Sequence, residues 1–484
     1  MYDTILIGKD IGSLMAALTC VCRGHKTLLV GDGEPSEPYR ASGCTFNADP
    51  FPWTGFDDNG SFLSVHLHKT IAQTLSSLLV PLNPGLQVIF PEHRLDIFTR
   101  REDLLHEISR EFPAWEDRLC MLYDAVGRAD QMLSRLIMAY PALRPGTLKK
   151  SPGFLKGIGL YLREKSRCDR IIRGFRQDTL RLLFESQLAV FSNLHASGLR
   201  QAPLWPHTLS KPLLGIFYPL GGKRAVQKAL EDLYTRLGGI LLEGVTVDKI
   251  AAATRLYQID IRSGPDQLQC SAKSLVVSRA WKNMSRLLNT EGRKAKRLNG
   301  HLSRSKKSLH AFTLHLCVLD RGLPERIAEY SALILDRQQP LLGHNFIFLE
   351  LSRRNDTGRA PGDKRALSIT VFLDRAPSEI PDAELFAWAE KILATLEGFL
   401  PFLSENIEFL DIAGCIERAR VEEETAGHRY GIAPASFLRL SALPCKTPLK
   451  NVYWTGRDLY ADLGFEGEIL SGLNAAYFCT GGKP

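Results

Sequence analysis

The N-terminal stretch of this 484-residue chain constrains the fold more than any other feature. Thr4-Ile5-Leu6-Ile7 has the composition of a buried strand, and Gly8-Lys9-Asp10-Ile11-Gly12-Ser13 follows as a tight turn. Leu14-Met15-Ala16-Ala17-Leu18 opens a helix of small and apolar residues, and Lys26-Thr27-Leu28-Leu29-Val30 is a second strand. Two strands joined by a crossover helix make a βαβ unit, which commits the chain to an α/β architecture with a parallel sheet. The length of the unit suits a dinucleotide lying across the helix N-terminus.

The turn departs from the Gly-x-Gly-x-x-Gly pattern that such a site uses. Gly8 is present, but Asp10 replaces the second glycine and Ser13 the third. A glycine at the second position lets the backbone approach a pyrophosphate. A carboxylate there can cap the helix N-terminus itself, satisfying the N–H groups that would bind phosphate and repelling the phosphate. At about 4 Å such a like-charge contact costs about 4 kcal/mol at a surface-like dielectric, roughly a thousandfold in affinity. The acid that accepts from the ribose at the end of the second strand is also displaced: Gly31 stands there, with Asp32 one position late.

The length suits two interleaved domains, and the 44% hydrophobic and 24% charged shares are those of a globular protein. No apolar run is long enough to cross a bilayer, and the N-terminus enters a strand without a leader pattern. Ten scattered cysteines without a C-x-x-C spacing argue against metal or a redox pair, so reduced thiols in a cytoplasmic protein are expected. The net charge of +8 is concentrated in two segments. Residues 149–176 carry nine basic and two acidic side chains, and residues 293–307 carry seven basic and none acidic. The first also contains Phe154, Leu155, Ile158, Leu160, Tyr161 and Leu162. It reads either as a solvated helix face with an apolar underside, or, together with 293–307, as a peripheral contact with an anionic membrane at its inner face. No nucleic-acid reading motif accompanies the charge.

Two further blocks complete the pattern. Gly215-Ile216-Phe217-Tyr218-Pro219-Leu220-Gly221-Gly222-Lys223 leads into an amphipathic helix over 224–237, then Gly238-Gly239 and a strand through Val247. Near the C-terminus, Val452-Tyr453-Trp454-Thr455-Gly456-Arg457-Asp458 precedes Gly464 to Gly472 and a helix. Together with the N-terminal turn these blocks resemble, nearly end to end, the phytoene desaturase branch of the FAD-dependent amine oxidase superfamily. The resemblance implies a Rossmann-like FAD/NAD(P)-binding domain made of 1–65, 205–282 and 445–484. A substrate domain would be interleaved with it, helical over 66–204 and sheet-forming over 283–444. Strand patterns over 309–318 and 366–374 fit the sheet part, and 355–364, rich in Gly, Arg, Asp and Pro, reads as an exposed loop.

By position, the resemblance puts FAD against Gly8, Asp10, Ile11, Gly12 and Ser13, with Asp32 and Arg40 nearby. Val247 would offer its backbone to the adenine, and Gly456, Arg457, Asp458, Gly467 and Ile469 would line the flavin side. The family's acid after the glycine matching Gly456 is replaced by Arg457, with Asp458 one step late. In Gly427-His428-Arg429-Tyr430-Gly431, which resembles a family loop, His428 is the one candidate acid or base, or else a structural histidine. His344 resembles a structural residue of a family strand. The implied function is hydride transfer from an apolar, isoprenoid- or carotenoid-like or long-chain substrate to FAD. The alternative is a cofactor-free or weakly flavin-binding relative that carries a lipid or isoprenoid or binds a protein, as Rab GDP-dissociation inhibitors do on this general fold. Lys9 and Arg457 add positive charge that could offset Asp10.

Overall fold

A computed structural model describes residues 1–32, 38–56, 61–143, 151–175, 178–252, 255–280, 293–343, 345–423, 427–432 and 443–481. His344 and the ends of the first basic segment (149–150 and 176) lie outside the described residues. The βαβ unit forms as its pattern requires: strand β1 (Tyr2–Ile7), helix α1 (Ile11–Cys22) and strand β2 (Thr27–Asp32). The two strands pair in parallel, Ile5 opposite Leu28. On its other edge β1 pairs in parallel with strand Asp266–Ser278, which in turn pairs with Val452–Thr455. Strands Ile240–Ala252 and Tyr257–Ser263 complete this six-stranded sheet as a meander. Three segments far apart in sequence thus share one sheet, and their carboxyl ends converge on the glycine turn.

The C-terminal helix Gly464–Thr480 packs across α1. The approach is so close that a Cβ on Gly472 would stand 2.0 Å from the Gly12 carbonyl oxygen, so only glycine is tolerated at 472. That contact brings the first turns of the C-terminal helix beside the N-terminus of α1.

A second sheet is mostly antiparallel and built on the long pair Ser305–Leu319 and Lys364–Leu373, with Phe312 opposite Val371. Strands Leu86–Ile89 and Arg94–Ile97 add to its edge. They fall inside the stretch expected to be helical; Leu86, Val88, Leu95 and Ile97 are buried and alternate at the strand period, which a neighbouring sheet edge captures. Strand Leu79–Pro81 joins a third, small sheet, and the remaining elements are helices, chiefly Arg101–Glu111, Glu116–Ala139, Ser151–Ile172 and Asp178–Phe191.

Two further expectations change. The loop over 355–364 is not simply exposed. Asp356 accepts from the Tyr218 hydroxyl at 2.7 Å and the Gly221 N–H at 3.0 Å, and fully buried Arg359 makes a bidentate pair with Glu350 at 2.7 and 3.1 Å. The loop clamps the Gly221-Gly222 turn, which explains its charged residues. Cys44 and Cys317, expected as thiols, are joined in a disulfide that links the Tyr39–Phe46 hairpin to the second sheet. Among the described residues, no helix is long and apolar enough to cross a membrane.

Candidate functional site

A cavity of about 360 Å³ lies where the three glycine blocks meet. Lys9, Asp10 and Ile11 line it from the first block, Lys223, Arg224 and Gln227 from the second, and Gly456, Arg457 and Asp458 from the third. Its apolar wall is aromatic: Tyr39, Phe46, Trp53, Tyr430 and Phe465. Trp53 and Phe465 stack at 4.6 Å between ring centres.

Asp10 is the N-cap of α1. Its Oδ1 accepts from the Ser13 N–H at 2.7 Å, and its Oδ2 accepts from the Ser278 hydroxyl. The carboxylate therefore occupies the positive end of the helix, where a phosphate oxygen would otherwise lie. Ser13 turns inward to Thr455, with 2.8 Å between the hydroxyl oxygens. Gly12 lies against the C-terminal helix, where an added Cβ would meet the Glu468 carbonyl oxygen at 3.0 Å; its smallness serves helix packing.

Lys9 explains the lost ribose acid. Its buried side chain runs over Gly31, where an added Cβ would stand 2.8 Å from the lysine Cδ, and its Nζ reaches Glu243 at 2.5 Å. Glu231, 3.9 Å from Lys9 Nζ, also pairs with Arg224 at 2.8 Å. Lys9, Glu231, Glu243 and Arg224 thus form an ion cluster beside the end of β2. Asp32 is buried at the end of β2 but does not line the cavity.

The third block reverses the expected charge and then balances it. Arg457 bonds Asp49 at 2.9 Å and Glu468 at 3.0 Å, and Asp458 pairs with Arg279 at 2.6 Å. Lys223 Nζ reaches Asp49 at 3.3 Å. Burial opposes ionisation of Asp49, but Arg457, Lys223 and Arg429 outweigh it and hold the carboxyl at about 2. Glu468 behaves oppositely: burial pushes its carboxyl up to about 7, against Arg457 and with help from Asp10 and Asp49. Its Oε1 has no hydrogen-bond partner among the described residues.

Other expected site residues lie elsewhere. Arg40 sits exposed on a hairpin whose neighbours Pro38 and Tyr39 line the cavity instead. Val247 is fully buried in the sheet opposite Ile261 and does not reach the cavity. Gly467 packs beneath the Tyr460 carbonyl, and Ile469 is core. His428 is fully buried; its Nδ1 accepts from the Ala311 N–H at 3.1 Å and its Nε2 meets the Glu423 carbonyl. Burial and Lys307 push it down to about 3, so it is a neutral structural imidazole and not an acid or base. Tyr430, two residues on, is the member of that loop that lines the cavity.

The sequence reading passed over Asp49, Lys223, Trp53, Phe465 and Glu468. Only two signals pointed to them: Lys223 ends the second glycine block, and Glu466 and Glu468 are acids in the opening turns of an otherwise apolar helix.

No protein-family model matches the chain. Among curated proteins it is similar to the chloroplastic prolycopene isomerase of Daucus carota, 24% identical over 47% of this chain and 38% of that protein. It is also similar to prolycopene isomerase 2 of an Oncidium hybrid cultivar, 25% identical over 51% of this chain and 43% of that protein. The chain thus spans less than half the length of these relatives. Among solved structures, an oxidoreductase from Methanosarcina mazei superposes with a TM-score of 0.59 at 15% identity, covering 98% of this chain and 99% of that one. A putrescine oxidase with redesigned cofactor binding gives 0.58 at 13%, with 99% of each chain covered. A Rab GDI from Plasmodium falciparum gives 0.54 at 13%, covering 100% of this chain and 99% of that one.

FAD is the cofactor that the resemblance of the three glycine blocks implies. The groove offers cationic donors in Arg457, Arg279 and Lys223, a wide glycine turn at Gly456 (φ 141°) and a stacked aromatic wall. These fit a flavin and its phosphates, while the carboxylates of Asp10, Asp49 and Glu468 currently satisfy the donors. The chain is thus similar to prolycopene isomerases over about half of its length, and it shares the fold of the Methanosarcina mazei oxidoreductase and the putrescine oxidase over nearly all of it.

Proposed function

We propose that this protein is a FAD-dependent oxidoreductase acting on an apolar, isoprenoid-like or other long-chain substrate. One observation carries the reading: a single cavity runs from the capped helix N-terminus past Gly456 to the wall formed by Trp53, Phe465, Tyr430, Tyr39 and Phe46. When bound, FAD supplies a hydride acceptor. The chain's own part is to bind, orient and keep water out. Arg457, Arg279 and Lys223 are placed to counter phosphate charge. The aromatic wall gives an apolar substrate a dry surface. Among the side chains lining the cavity, Glu468 has a carboxyl poised near neutrality, suited to holding or releasing a proton there. The likeness to prolycopene isomerases supports a polyene-sized substrate. The test is the visible spectrum of purified protein: flavin bands, or their appearance on adding FAD, are expected. A colourless protein that takes up no FAD overturns the reading.

A second reading has its own observation. Asp10 already caps the phosphate end and Lys9 fills the space over Gly31, and a Rab GDI shares the fold. We propose under this reading a cofactor-free carrier of a lipid or isoprenoid, which retention of such a ligand by the colourless protein would support. Either role is served by the helix Ser151–Ile172. It buries Phe154, Ile158 and Tyr161 but exposes Leu155, Leu160 and Leu162 at 52, 42 and 40%, beside exposed Lys156, Arg163 and Arg167. We propose that this face rests on an anionic membrane surface.

A further inference from the structure

Glu468 projects from the C-terminal helix into the cavity where the three glycine blocks meet. One carboxylate oxygen holds Arg457 at 3.0 Å. The other is fully buried and has no hydrogen-bond partner among the described residues. The charged groups that face it come from every element around it. Asp10 caps α1, Asp49 follows the Cys44–Phe46 strand, Lys223 opens the helix after the second block, and Arg457 follows the strand Val452–Thr455. Behind Asp49 lies Arg429, and Arg279 is engaged by Asp458. Three carboxylates therefore share a groove whose nearest cations, Arg457 and Lys223, are already paired. A ligand bearing phosphate adds negative charge to this cluster and competes for Arg457. The cluster can meet that demand at low cost in one way, by neutralising the carboxyl that has least support. A neutral Glu468 releases Arg457 to the ligand and turns its unpartnered oxygen into an O–H donor.

We propose that Glu468 is the specificity-determining group for phosphate-bearing ligands in this cavity, and that FAD binds the form protonated at Glu468, taking up a proton to the extent that this carboxyl is ionised beforehand. The proposal rests on the FAD reading above. The near-neutral titration of this carboxyl supports it: at about 7, roughly nine-tenths of Glu468 is neutral one unit below and one-tenth one unit above. Asp49 is held ionised by three cations and cannot serve. Asp462, raised to about 6 by burial, sits in a separate network bonded to Ser192 and the Leu204 N–H.

The test is a FAD titration of the full chain, followed by flavin fluorescence, at about pH 6 and about pH 8. The wild type should bind about tenfold more tightly at the lower pH. Glu468→Gln, neutral throughout, should bind at least as tightly as the wild type does at the lower pH, with no slope. Calorimetry of the wild type in buffers of different ionisation enthalpy should show proton uptake on binding, a measurement that does not depend on the variant folding. An equal slope in Glu468→Gln, or binding by the wild type with neither slope nor proton uptake, overturns the proposal. Failure of the wild type, Glu468→Gln and Asp10→Gly to take up FAD at either pH overturns the FAD reading, and the proposal with it.

Discussion

Glu466 and Glu468 stand two residues apart on one helix, both buried, yet they are opposite in character. Glu466 is saturated: it accepts from His207 at 3.1 Å and Thr54 at 2.7 Å, with Lys211 at 3.6 Å. Against burial, Lys211 and His207 hold it at about 2. Glu468 bonds one cation, Arg457, has Lys223 and two carboxylates further off and an oxygen with no hydrogen-bond partner among the described residues, and burial raises it to about 7. The stacked Trp53 and Phe465 rings line the cavity near Glu468, while His207 continues from Glu466 to Asp130 at 2.5 Å. Burial is common to both; the number and sign of partners decides which one is structural and which is available for chemistry.

The largest expected effect breaks the saturated side. Glu466→Ala leaves His207 with Asp130 alone and Lys211 with only the Phe191 and Leu463 carbonyls as hydrogen-bond partners among the described residues, and this loss from a buried charge network should destabilise the fold by about 3–5 kcal/mol, read from urea or thermal unfolding. If the loss is below about 1 kcal/mol, the network is not the anchor described. The pH dependence has a definite sign. Against burial, Glu466 and Asp130 raise His207 to about 9, so its contribution is complete below its ordinary 6.5 and is lost as pH rises through about 9. Glu466 is depressed, so its contribution is present above its ordinary 4.5 and lost as pH falls through about 2. Stability from this pair should therefore be level between the ordinary values of 4.5 and 6.5 and decline on either side.

Next in size is the phosphate end. Asp10→Gly removes the carboxylate from the helix N-terminus at a cost of only a few tenths of a kcal/mol in capping. It should raise FAD affinity by up to roughly a thousandfold; unchanged affinity in a flavin fluorescence titration would refute the charge argument. Glu468→Gln is expected to do the reverse of Glu466→Ala. A carboxyl raised from its ordinary 4.5 to about 7 costs the fold nothing below that window and its full penalty above it. The variant should therefore be more stable than wild type at about pH 8 by on the order of 2 kcal/mol, and equal near about pH 4. Equal stability at both would mean that Glu468 is already satisfied. The smallest effect is at the surface. Replacing Leu155, Leu160 and Leu162 by Ser should leave stability within about 0.5 kcal/mol each but abolish flotation with anionic liposomes; unaltered flotation would remove this face from the membrane proposal.

The legible parts of this molecule are those with local causes. The βαβ turn, the strand Ser305–Leu319, the helix Lys223–Arg236 and the capping role of Asp10 all follow from periodicity or from contacts three residues apart. Arg40 and Val247 were placed at the site by resemblance alone, and local pairing set them outside it. The loop over 355–364 is exposed along most of its length, as its composition indicates, but composition could not show that Asp356 and Arg359 turn inward to Gly221 and Glu350. His428 was weighed as an acid or base because histidine can serve as one; two backbone partners and full burial assign it to structure.

By itself the sequence determined that a dinucleotide fold is present and that its phosphate turn carries a carboxylate, since both depend on neighbours along the chain. It also marked the three glycine blocks. The tertiary structure alone decided that Lys9 fills the space over Gly31, that Arg457 is balanced by Asp49 and Glu468, and that Glu466 and Glu468 differ. The reason is physical. A buried charge takes its state from the groups within a few ångströms, and here those groups come from segments hundreds of residues apart.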